Sequence, residues 1–409
     1  MKKVAVIGAG LGPDTLTVEA RDALSRADVL LGAKRVIGAY KEKRSYPYYL
    51  PKDVTACIEN EDAETFAVLV SGDVGFYSAA AELCAVLSEY DLSLIPGIST
   101  VNAFFARLGM PWQDAAFVSA HGREVNVVDT VRRNRLTFCL TGNNANEIGA
   151  ALLEAGFGCI KTFRGENLGT VQEQIRETTA EELSRDEFPP LTVLLFVNEA
   201  YDDRTPHGLP DDSFSRQPGI PMTKSETRAV VMSKLNLRPN NVCWDVGAGT
   251  GSVTVEMALS VYRGHVYAVE RREDAIPLIE QNCGAFHVGN VTAVCGEAPA
   301  ALEELPSPDA AFIGGSGGEL GEIIAAILRK NPDARVVLTA ATIETTAAAL
   351  SAFENLGLEP EIVTVNVARG KPAGKLHMME ALNPVSIVTG DCKKSLGRNV
   401  GIADAGGKP

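Results

Sequence analysis

The chain has 409 residues, of which 45% are hydrophobic and 22% are charged, and it carries a formal net charge of −14 with a pI near 5.0. A chain of this length exceeds the size at which one hydrophobic core usually divides, so the sequence predicts two domains. The acidic balance excludes a general nucleic-acid binder, because phosphate backbones are bound by clustered Lys and Arg. It leaves open a small anionic substrate held by a local group of cations.

The sequence contains no clear targeting or metal-binding pattern. The N-terminal MKKVAVIGAG is basic and then apolar, but its apolar run is too short for a secretory signal. No run approaches the ~18 apolar residues of a membrane span. We therefore expect a cytoplasmic protein that binds no membrane. The cysteines and histidines show neither C-x-x-C pairs nor His pairs at helical spacing, so we expect no metal site.

The first half of the chain alternates strand-like and helix-like segments. PDTLTVEARDALSRADVL, residues 13–30, has apolar positions at helical spacing and a Pro-Asp start that suits a helix N-terminus. Short apolar runs predict strands at 4–7, 67–69, 92–95, 117–118, 137–140 and 192–197. This alternation predicts an α/β domain with much parallel pairing.

A stretch rich in proline and aspartate, NEAYDDRTPHGLPDDSFSRQPGIPMT at 198–223, interrupts this pattern. We interpret it as a linker and the lead-in to a second domain. Alternating helices and strands then resume, up to EIVTVNVA (361–368) and a last strand, MMEALNPVSIVTG (378–390). The predicted organisation is a first domain at 1–204, a linker at 205–217, a second domain at 218–390 and a flexible tail at 391–409.

The segment VCWDVGAGTGSVTVEMA, residues 242–258, places three glycines between a predicted strand and a predicted helix. Glycine suits this position because the chain turns sharply and a ligand must approach the backbone. The dinucleotide fingerprint is G-x-G-x-x-G, whereas this loop reads D-x-G-x-G-x-G and is followed by Glu270 at the end of the next predicted strand. A helix N-terminus attracts an anion and a carboxylate binds a diol, so the arrangement suits a nucleoside cofactor.

This pattern resembles the first motif of Rossmann-like S-adenosylmethionine methyltransferases. Together with GIPMTKSETRAVVMSKL, GEAPAAL, FIGGSGGEL and LNPVSIV, it resembles the decarboxylating methyltransferases that act at C15 in cobalamin biosynthesis, over residues 218–390. The resemblance implies S-adenosylmethionine as the cofactor, with Ala298 near the adenine and Gly315 near the methyl-transfer pocket. The other cofactor contacts that it implies are Thr223, Gly247, Ala248, Gly249, Thr250, Gly251 and Glu270.

The N-terminal VIGAGLGPD also has a glycine turn after a predicted strand. A dinucleotide fingerprint that starts at Gly8 and Gly10 requires glycine at position 13, where Pro13 stands. Proline has no N–H to offer a phosphate, and no acid closes a second strand at the right distance. A dinucleotide-binding oxidoreductase is therefore the weaker alternative.

The loop and the segments after it resemble the tetrapyrrole methylases, and among them the methyltransferases that act at C5 in the same pathway. The motifs are GLGPDTLT, LVSGDVGFYS, LIPGISTVNAFFARLGMPWQDA, SAHGR, LTGNNANEIGAALLEAGFG and RGENLGTVQEQI, over roughly residues 3–200. The chain departs from the usual GDPG at Val74, where we expect a small effect on stability. The resemblance implies a two-lobed domain whose cleft holds the cofactor and is lined by Pro13, Ser71, Gly72, Asp73, Ser99, Thr100 and Thr141.

The order of the two resemblances implies a bifunctional enzyme with one S-adenosylmethionine site per domain. It implies that the first domain methylates C5 of precorrin-6B, while the second methylates C15 and decarboxylates the ring-C acetate, giving precorrin-8X. The alternatives left open are a methyltransferase of another tetrapyrrole and an enzyme with only its C-terminal domain active. Alignment of the reacting carbon with the methyl sulfonium carries much of such catalysis, so the catalytic residues and the proton donor stay unassigned. Both families commonly self-associate, so we expect a homo-oligomer.

The implied substrate carries many carboxylates, which local cations would bind. ARGKPAGKLHMM, residues 368–379, is expected to be a basic, glycine-rich loop between strands, where substrate loops usually lie. The candidate cations are Arg271, Arg272, Arg369, Lys371 and Lys375 in the second domain and His121 and Arg123 in the first.

Overall fold

The structure is a computed structural model that describes residues 1–121 and 125–391. Contacts divide the described chain into two compact units. The first takes in residues 1–121, 134–150 and 159–199, and the second takes in 125–133, 151–158 and 200–391. Arg123 and the predicted tail after residue 391 lie outside the described residues. No helix within the described ranges is both long enough and apolar enough to span a bilayer.

Two five-stranded sheets form the framework of the first unit. The strands are β1 (Lys3–Gly8), β2 (Val29–Gly32), β3 (Ser45–Tyr46), β4 (Thr65–Val70), β5 (Asp91–Ile95), β6 (Ala115–Ser119), β7 (Leu136–Leu140), β8 (Lys161–Glu166), β9 (Gln174–Thr179) and β10 (Thr192–Val197). The first sheet is parallel throughout, in the order β3-β2-β4-β1-β5. The second has the order β6-β7-β10-β8-β9, with β6 and β7 parallel and the other neighbours antiparallel.

The helices of this half of the chain connect the strands. They are α1 (Val18–Arg26), α2 (Lys34–Ile37), α3 (Pro51–Asn60), α4 (Ala80–Val86), α5 (Thr100–Leu108), α6 (Val127–Arg133), α7 (Ala145–Leu152) and α8 (Ala180–Leu183), of which α6 belongs to the second unit. The central strands of the parallel sheet bury both faces, as such sheets do. Val6 and Val68 pack into one hydrophobic cluster, whereas their neighbours Ile7 and Leu69 pack into another. Packing on both faces therefore fixes the positions of the carboxyl ends of these strands.

The second unit is built on one seven-stranded sheet. In chain order the strands of the unit are β11 (Val242–Val246), β12 (His265–Glu270), β13 (Val291–Cys295), β14 (Ala310–Ile313), β15 (Arg335–Ala340), β16 (Glu359–Val365), β17 (Ala368–Ala373), β18 (Leu376–Ala381) and β19 (Val385–Asp391). Of these, β17 and β18 form a separate two-stranded sheet. The helices are α9 (Ser225–Leu235), α10 (Ser252–Ser260), α11 (Ile276–Ala285), α12 (Leu320–Lys330) and α13 (Ile343–Asn355). The sheet order is β13-β12-β11-β14-β15-β19-β16, and β19 is antiparallel to both of its neighbours.

Residues on the central strands of this sheet alternate between two cores. Cys243 and Phe312 pack into one cluster, and Trp244 and Ile313 pack into the other. Because both faces are covered, β11 and β14 are apolar along most of their length. Asp245 is the exception, and it directly precedes the end of β11.

The α/β fold class with a Rossmann-like second domain is confirmed, but three segments differ from their predictions. The helix predicted over 13–30 covers only Val18–Arg26, because Val29–Gly32 is a buried strand. The strand predicted over 378–390 is two strands, separated at Pro384, whose missing N–H interrupts strand pairing. The segment 368–379 is not a loop, since β17 and β18 pair as a hairpin.

Candidate cofactor and substrate sites

Three glycines form the turn between β11 and α10. Gly247, Gly249 and Gly251 have φ angles of 74°, 55° and 75°, a region that residues with a Cβ rarely adopt. Space is equally limited, because a Cβ on Gly247 would lie 2.7 Å from the Gly315 backbone N. A Cβ on Gly249 would lie 2.5 Å from the Pro221 carbonyl oxygen. The turn therefore requires glycine, and its own N–H groups bond within the protein, among them those of Gly247 and Ala248 to the Val269 carbonyl.

Glu270 ends β12 next to this turn, because β12 pairs in parallel with β11. One carboxylate oxygen of Glu270 accepts the Gly249 N–H at 2.9 Å, and the other accepts the Arg272 N–H at 3.1 Å. A carboxylate offers about four lone-pair positions, so Glu270 retains the capacity to accept bonds from a diol.

Two buried polar atoms near the turn have no hydrogen-bond partner among the described residues. They are the Thr250 hydroxyl oxygen and Asp245 Oδ1. Asp245 Oδ2 accepts the Thr254 hydroxyl at 2.5 Å, and burial raises the pKa of Asp245 to about 7. Buried polar atoms are normally satisfied. Together with the glycine turn and Glu270, these atoms fit a polar ligand such as a nucleoside cofactor.

A buried ion pair holds the segment that carries Thr223. Arg228 and Glu256 are both fully buried, and Arg228 Nε lies 2.5 Å from Glu256 Oε1. Arg228 also donates to the Thr223 carbonyl at 2.5 Å. Glu256 accepts the N–H groups of Gly208 and Leu209, each at 2.8 Å. The pair therefore joins α9 and α10 and fixes the backbone at Thr223.

A cavity of about 400 Å³ opens at the carboxyl ends of β14 and β15. Thr223 and Gly315 line it, whereas the glycine turn, Glu270 and Ala298 do not. Ala298 packs against the hydrophobic core in the segment that follows β13. That segment starts beside Glu270, since the Gly296 N–H donates to the Glu270 carbonyl at 3.0 Å. The residues predicted to bind the second cofactor thus lie around the turn between β11 and α10. Of these residues, Thr223 and Gly315 also line the 400 Å³ cavity.

Glycines from three loops meet in the first unit, where β1, β4 and β5 end. Gly10 and Gly72 exchange two backbone hydrogen bonds of 3.0 Å. A Cβ on Gly8 would lie 2.6 Å from the Gly97 backbone N and 2.7 Å from the Gly72 carbonyl oxygen. The three loops therefore pack backbone against backbone, which side chains at these positions would prevent.

Asp73 and Ser99 hold these loops in place. The Asp73 carboxylate accepts the N–H groups of Gly75 at 2.8 Å and Gly97 at 3.0 Å. Ser99 caps α5, where its hydroxyl accepts the Asn102 N–H at 3.3 Å and donates to the Asn102 side chain at 2.6 Å. Both side chains are engaged within the protein, although the Asp73 carboxylate, like that of Glu270, retains lone pairs for further bonds.

One cavity of about 1000 Å³ is lined by every residue predicted to form the first cofactor site. Its lining includes Pro13, Ser71, Gly72, Asp73, Ser99, Thr100 and Thr141, together with the substrate candidate His121. Arg35, for which no role was predicted, also lines the cavity and donates to the Ser71 hydroxyl at 3.0 Å. A basic pair directly after the buried strand β2 was the available indication. Arg35 and His121 are the basic residues among the described lining residues, and Asp73 and Glu82 are the acidic ones.

Most cations proposed for the second domain are paired within the protein. Arg369 on β17 contacts both carboxylate oxygens of Glu226, at 2.9 and 2.6 Å, and Asp211 at 2.9 Å. This contact lowers the pKa of Glu226 to about 2. Three further pairs are Arg271 with Glu297 at 3.7 Å, Arg272 with Asp274 at 2.6 Å and Lys371 with Glu380 at 3.4 Å. Lys375 lies in the exposed turn of the hairpin.

Comparison with known proteins first defines the class. The family described as tetrapyrrole (corrin/porphyrin) methylases matches residues 3–184, and the precorrin methyltransferase domain matches residues 213–390. The chain is therefore a fusion of two methyltransferase domains, and this class supports S-adenosylmethionine as the methyl donor. It replaces the dinucleotide-binding oxidoreductase that the sequence analysis left as an alternative.

Relatives then define the particular family. A precorrin-6Y C(5,15)-methyltransferase (decarboxylating) of a Sinorhizobium species is 30% identical over 94% of this chain and 95% of its own length. A probable cobalt-precorrin-6B C(15)-methyltransferase (decarboxylating) of Pyrobaculum calidifontis is 46% identical over 44% of this chain and 94% of its own length. A crystal structure named precorrin-6Y C5,15-methyltransferase, from Geobacter metallireducens, is 40% identical over 45% of this chain and 97% of that chain, with a TM-score of 0.43. The chain belongs to the family of decarboxylating precorrin-6Y C5,15-methyltransferases.

Proposed function

We propose that this chain methylates precorrin-6B at C5 and C15 and removes CO2 from the ring-C acetate, giving precorrin-8X. In this proposal the second domain methylates C15 and decarboxylates, while the first methylates C5. The observation that carries it is the similarity to the Sinorhizobium enzyme, which extends over 94% of the chain and so includes both sets of glycine loops.

Two S-adenosylmethionine sites follow from this proposal, one in each domain. When bound, the cofactor supplies a methyl group on a positively charged sulfur, which a nucleophilic carbon accepts without a general acid. In the second site the Gly247–Gly251 turn and the α10 N-terminus would hold the methionine part, and Glu270 would hold the ribose hydroxyls. Thr223 and Gly315 would stand on the side where the cofactor meets the 400 Å³ cavity.

In the first site the cofactor would lie against the backbone of the three glycine loops. The absence of side chains on these glycines would let a ligand approach the loop backbone, while Asp73 and Ser99 keep the loops in place. The Thr141 hydroxyl likewise donates to the Thr192 carbonyl at 2.7 Å. The 1000 Å³ cavity leaves space for a large substrate beside the loops, and Arg35 would meet a substrate carboxylate there.

These residues support catalysis by positioning. Each site would align a bridge carbon of the macrocycle with the methyl group and exclude water, which is the main requirement of such a transfer. For decarboxylation the bond between the acetate methylene and its carboxyl carbon would break, and the conjugated macrocycle would take up the electron pair. The methylene carbon would then take up a proton, giving CO2 and a ring methyl group. The domain bounds at 1–204 and 218–390, the self-association and the cytoplasmic location stay predictions.

The first test is calorimetric titration of S-adenosylmethionine into the full chain. We expect two sites in the wild type and one in Gly249→Ala, because its Cβ would contact Pro221. We expect one site in Thr100→Trp, because the indole would occupy the part of the first cavity beside Ser99 and Thr100. Gly357→Ala is the matched control, since Gly357 also has a positive φ, of 73°, but has open space around its Cβ position. It should retain both sites.

Turnover of precorrin-6B, followed by mass spectrometry and CO2 release, then separates the alternatives. Wild-type product with two added methyl groups and without the carboxyl group supports the proposal. A single binding site, lost in Gly249→Ala, with product methylated once, supports an enzyme whose C-terminal domain alone is active. Two sites without turnover of precorrin-6B point to another tetrapyrrole.

A further inference from the structure

The 400 Å³ cavity of the second unit is lined by hydroxyl groups and one lysine, although the chain as a whole is acidic. Six of its lining residues carry hydroxyl groups: Thr223, Thr227, Ser316, Thr339, Thr342 and Thr345. Within the described chain, no Asp or Glu lines it, and Lys224 is its one Lys or Arg. Hydroxyl donors and an ammonium without a competing carboxylate suit an anion.

Lys224 has no partner in the described part of the chain. Its side chain is exposed and forms neither a salt bridge nor a hydrogen bond there. The nearest acids along the chain are already engaged, since Glu226 binds Arg369 and Asp211 binds both Arg369 and the Ser225 N–H. The Lys224 charge is therefore available to a ligand in the cavity.

The N-terminus of α13 supports the same interpretation from another wall. Ala341, Thr342 and Thr345 line the cavity, and Thr342 caps the helix by accepting the Thr345 N–H at 3.1 Å. Partial positive charge at the start of a helix favours an anion nearby. This wall adds to the charge of Lys224 and does not by itself define a site.

The cavity adjoins the expected methyl-transfer position but excludes the glycine turn. Of the residues assigned to the second cofactor site, it shares only Thr223 and Gly315. An anion bound beside Lys224 would thus belong to the methyl acceptor, a tetrapyrrole with many carboxylates, and not to the methionine carboxylate. We propose that Lys224 binds one carboxylate of the tetrapyrrole during the C15 reaction, an inference that rests on the proposed function of the second domain.

The test compares Lys224→Met, which removes the charge at similar length, with Lys224→Arg, which keeps it, in the full chain. We expect Lys224→Met to raise the KM for precorrin-6B in the CO2-release assay about 10- to 100-fold, the usual effect of a lost charged hydrogen bond. Lys224→Arg should recover part of this loss. Lys52→Met is the control, because Lys52 is also exposed but lies in the first unit and lines neither cavity.

Two further measurements distinguish the sources of the anion and guard against unfolding. The Kd of S-adenosylmethionine should change less than about twofold, and raising salt should raise the KM of the wild type more than that of Lys224→Met. An unchanged KM in Lys224→Met, or an equal loss of cofactor affinity, overturns the proposal. If the wild type releases no CO2 from precorrin-6B, the proposed function of the second domain is refuted instead. If Lys224→Met does not fold, the same comparison of KM and cofactor Kd is made with Lys224→Gln.

Discussion

Replacing Glu256 by alanine should strongly destabilise the second unit. Glu256 and Arg228 are both fully buried, so the substitution removes the carboxylate that accepts from Arg228 Nε and leaves the longer contact of 3.6 Å with Asp211. Breaking a buried pair in this way costs about 3–5 kcal/mol. The N–H groups of Gly208 and Leu209 also lose their acceptor, each at about 1 kcal/mol or more where water cannot replace it. With the lower end of that range for the pair, because Asp211 remains near Arg228, and about 1 kcal/mol for each N–H, we expect the free energy of unfolding to fall by about 5 kcal/mol.

The assay is urea unfolding followed by tryptophan fluorescence. The chain has two tryptophans, and Trp244 is fully buried in the core of the second unit. In a Trp112→Phe background Trp244 alone reports on that unit. The midpoint and the slope then give the change in free energy for the second unit separately from the first.

Two variants make the comparison specific. Glu361→Ala removes an ion pair with Lys234 in which Glu361 is 54% exposed, and should cost less than about 1 kcal/mol. Changing Arg228 and Glu256 together to methionine should cost less than Glu256→Ala, because no unpaired charge stays buried. If Glu256→Ala costs no more than Glu361→Ala, the buried pair does not stabilise the segment at Thr223 as argued.

Three other substitutions test separate parts of the structure. Gly97→Ala would place a Cβ 2.5 Å from the Gly8 carbonyl oxygen, so the first unit should lose stability and C5 methylation. Urea unfolding followed by Trp112 fluorescence in a Trp244→Phe background measures the stability of that unit. A variant that unfolds and methylates like the wild type would contradict the prediction. The native state keeps the Asp245 proton up to about pH 7, whereas the unfolded chain loses it near 3.8. Since the unfolded state then binds fewer protons, this group lowers stability as pH rises from about 4 to about 7; Asp245→Asn should flatten that fall in urea midpoints, and parallel curves would refute the assignment. Arg35→Met should raise the KM for C5 methylation about tenfold without changing CO2 release. Arg26→Met is the control, because Arg26 is also exposed in the first unit but does not line the cavity. Equal KM values for the two variants would argue against Arg35 as a substrate residue.

Features with a local cause could be predicted from the sequence. The glycine turn at 247–251 and the acid Glu270 follow from short-range rules, because a strand, a sharp turn and a helix succeed each other within a few residues. The hairpin of β17 and β18 could not be predicted in the same way. Every residue of β18 is exposed, so it lacks the alternation of buried and exposed residues on which strand prediction depends.

The pairing of charges was the least predictable part of the site. Arg369 was a substrate candidate because its segment is basic, but its partners Glu226 and Asp211 lie 143 and 158 positions away in the sequence. No local pattern connects residues at such separations. Lys224 follows Thr223 directly and received no role, although its neighbours leave it without a partner. Which cations are paired within the protein, and which of the others line a cavity, is thus revealed only by the tertiary structure.

This distribution of charge suits the chemistry proposed for the second domain. A carboxylate held by several arginines is strongly stabilised, and that stabilisation must be given up when it leaves as CO2. The cavity instead offers one ammonium, from Lys224, among neutral hydroxyls. Such a wall can orient a polycarboxylate through one charged contact while the acetate that reacts meets only weak donors. We therefore expect Thr345→Lys, which adds a second cation to this wall, to lower the KM for precorrin-6B and to slow CO2 release. A variant that binds the substrate more tightly and also releases CO2 faster would refute this explanation.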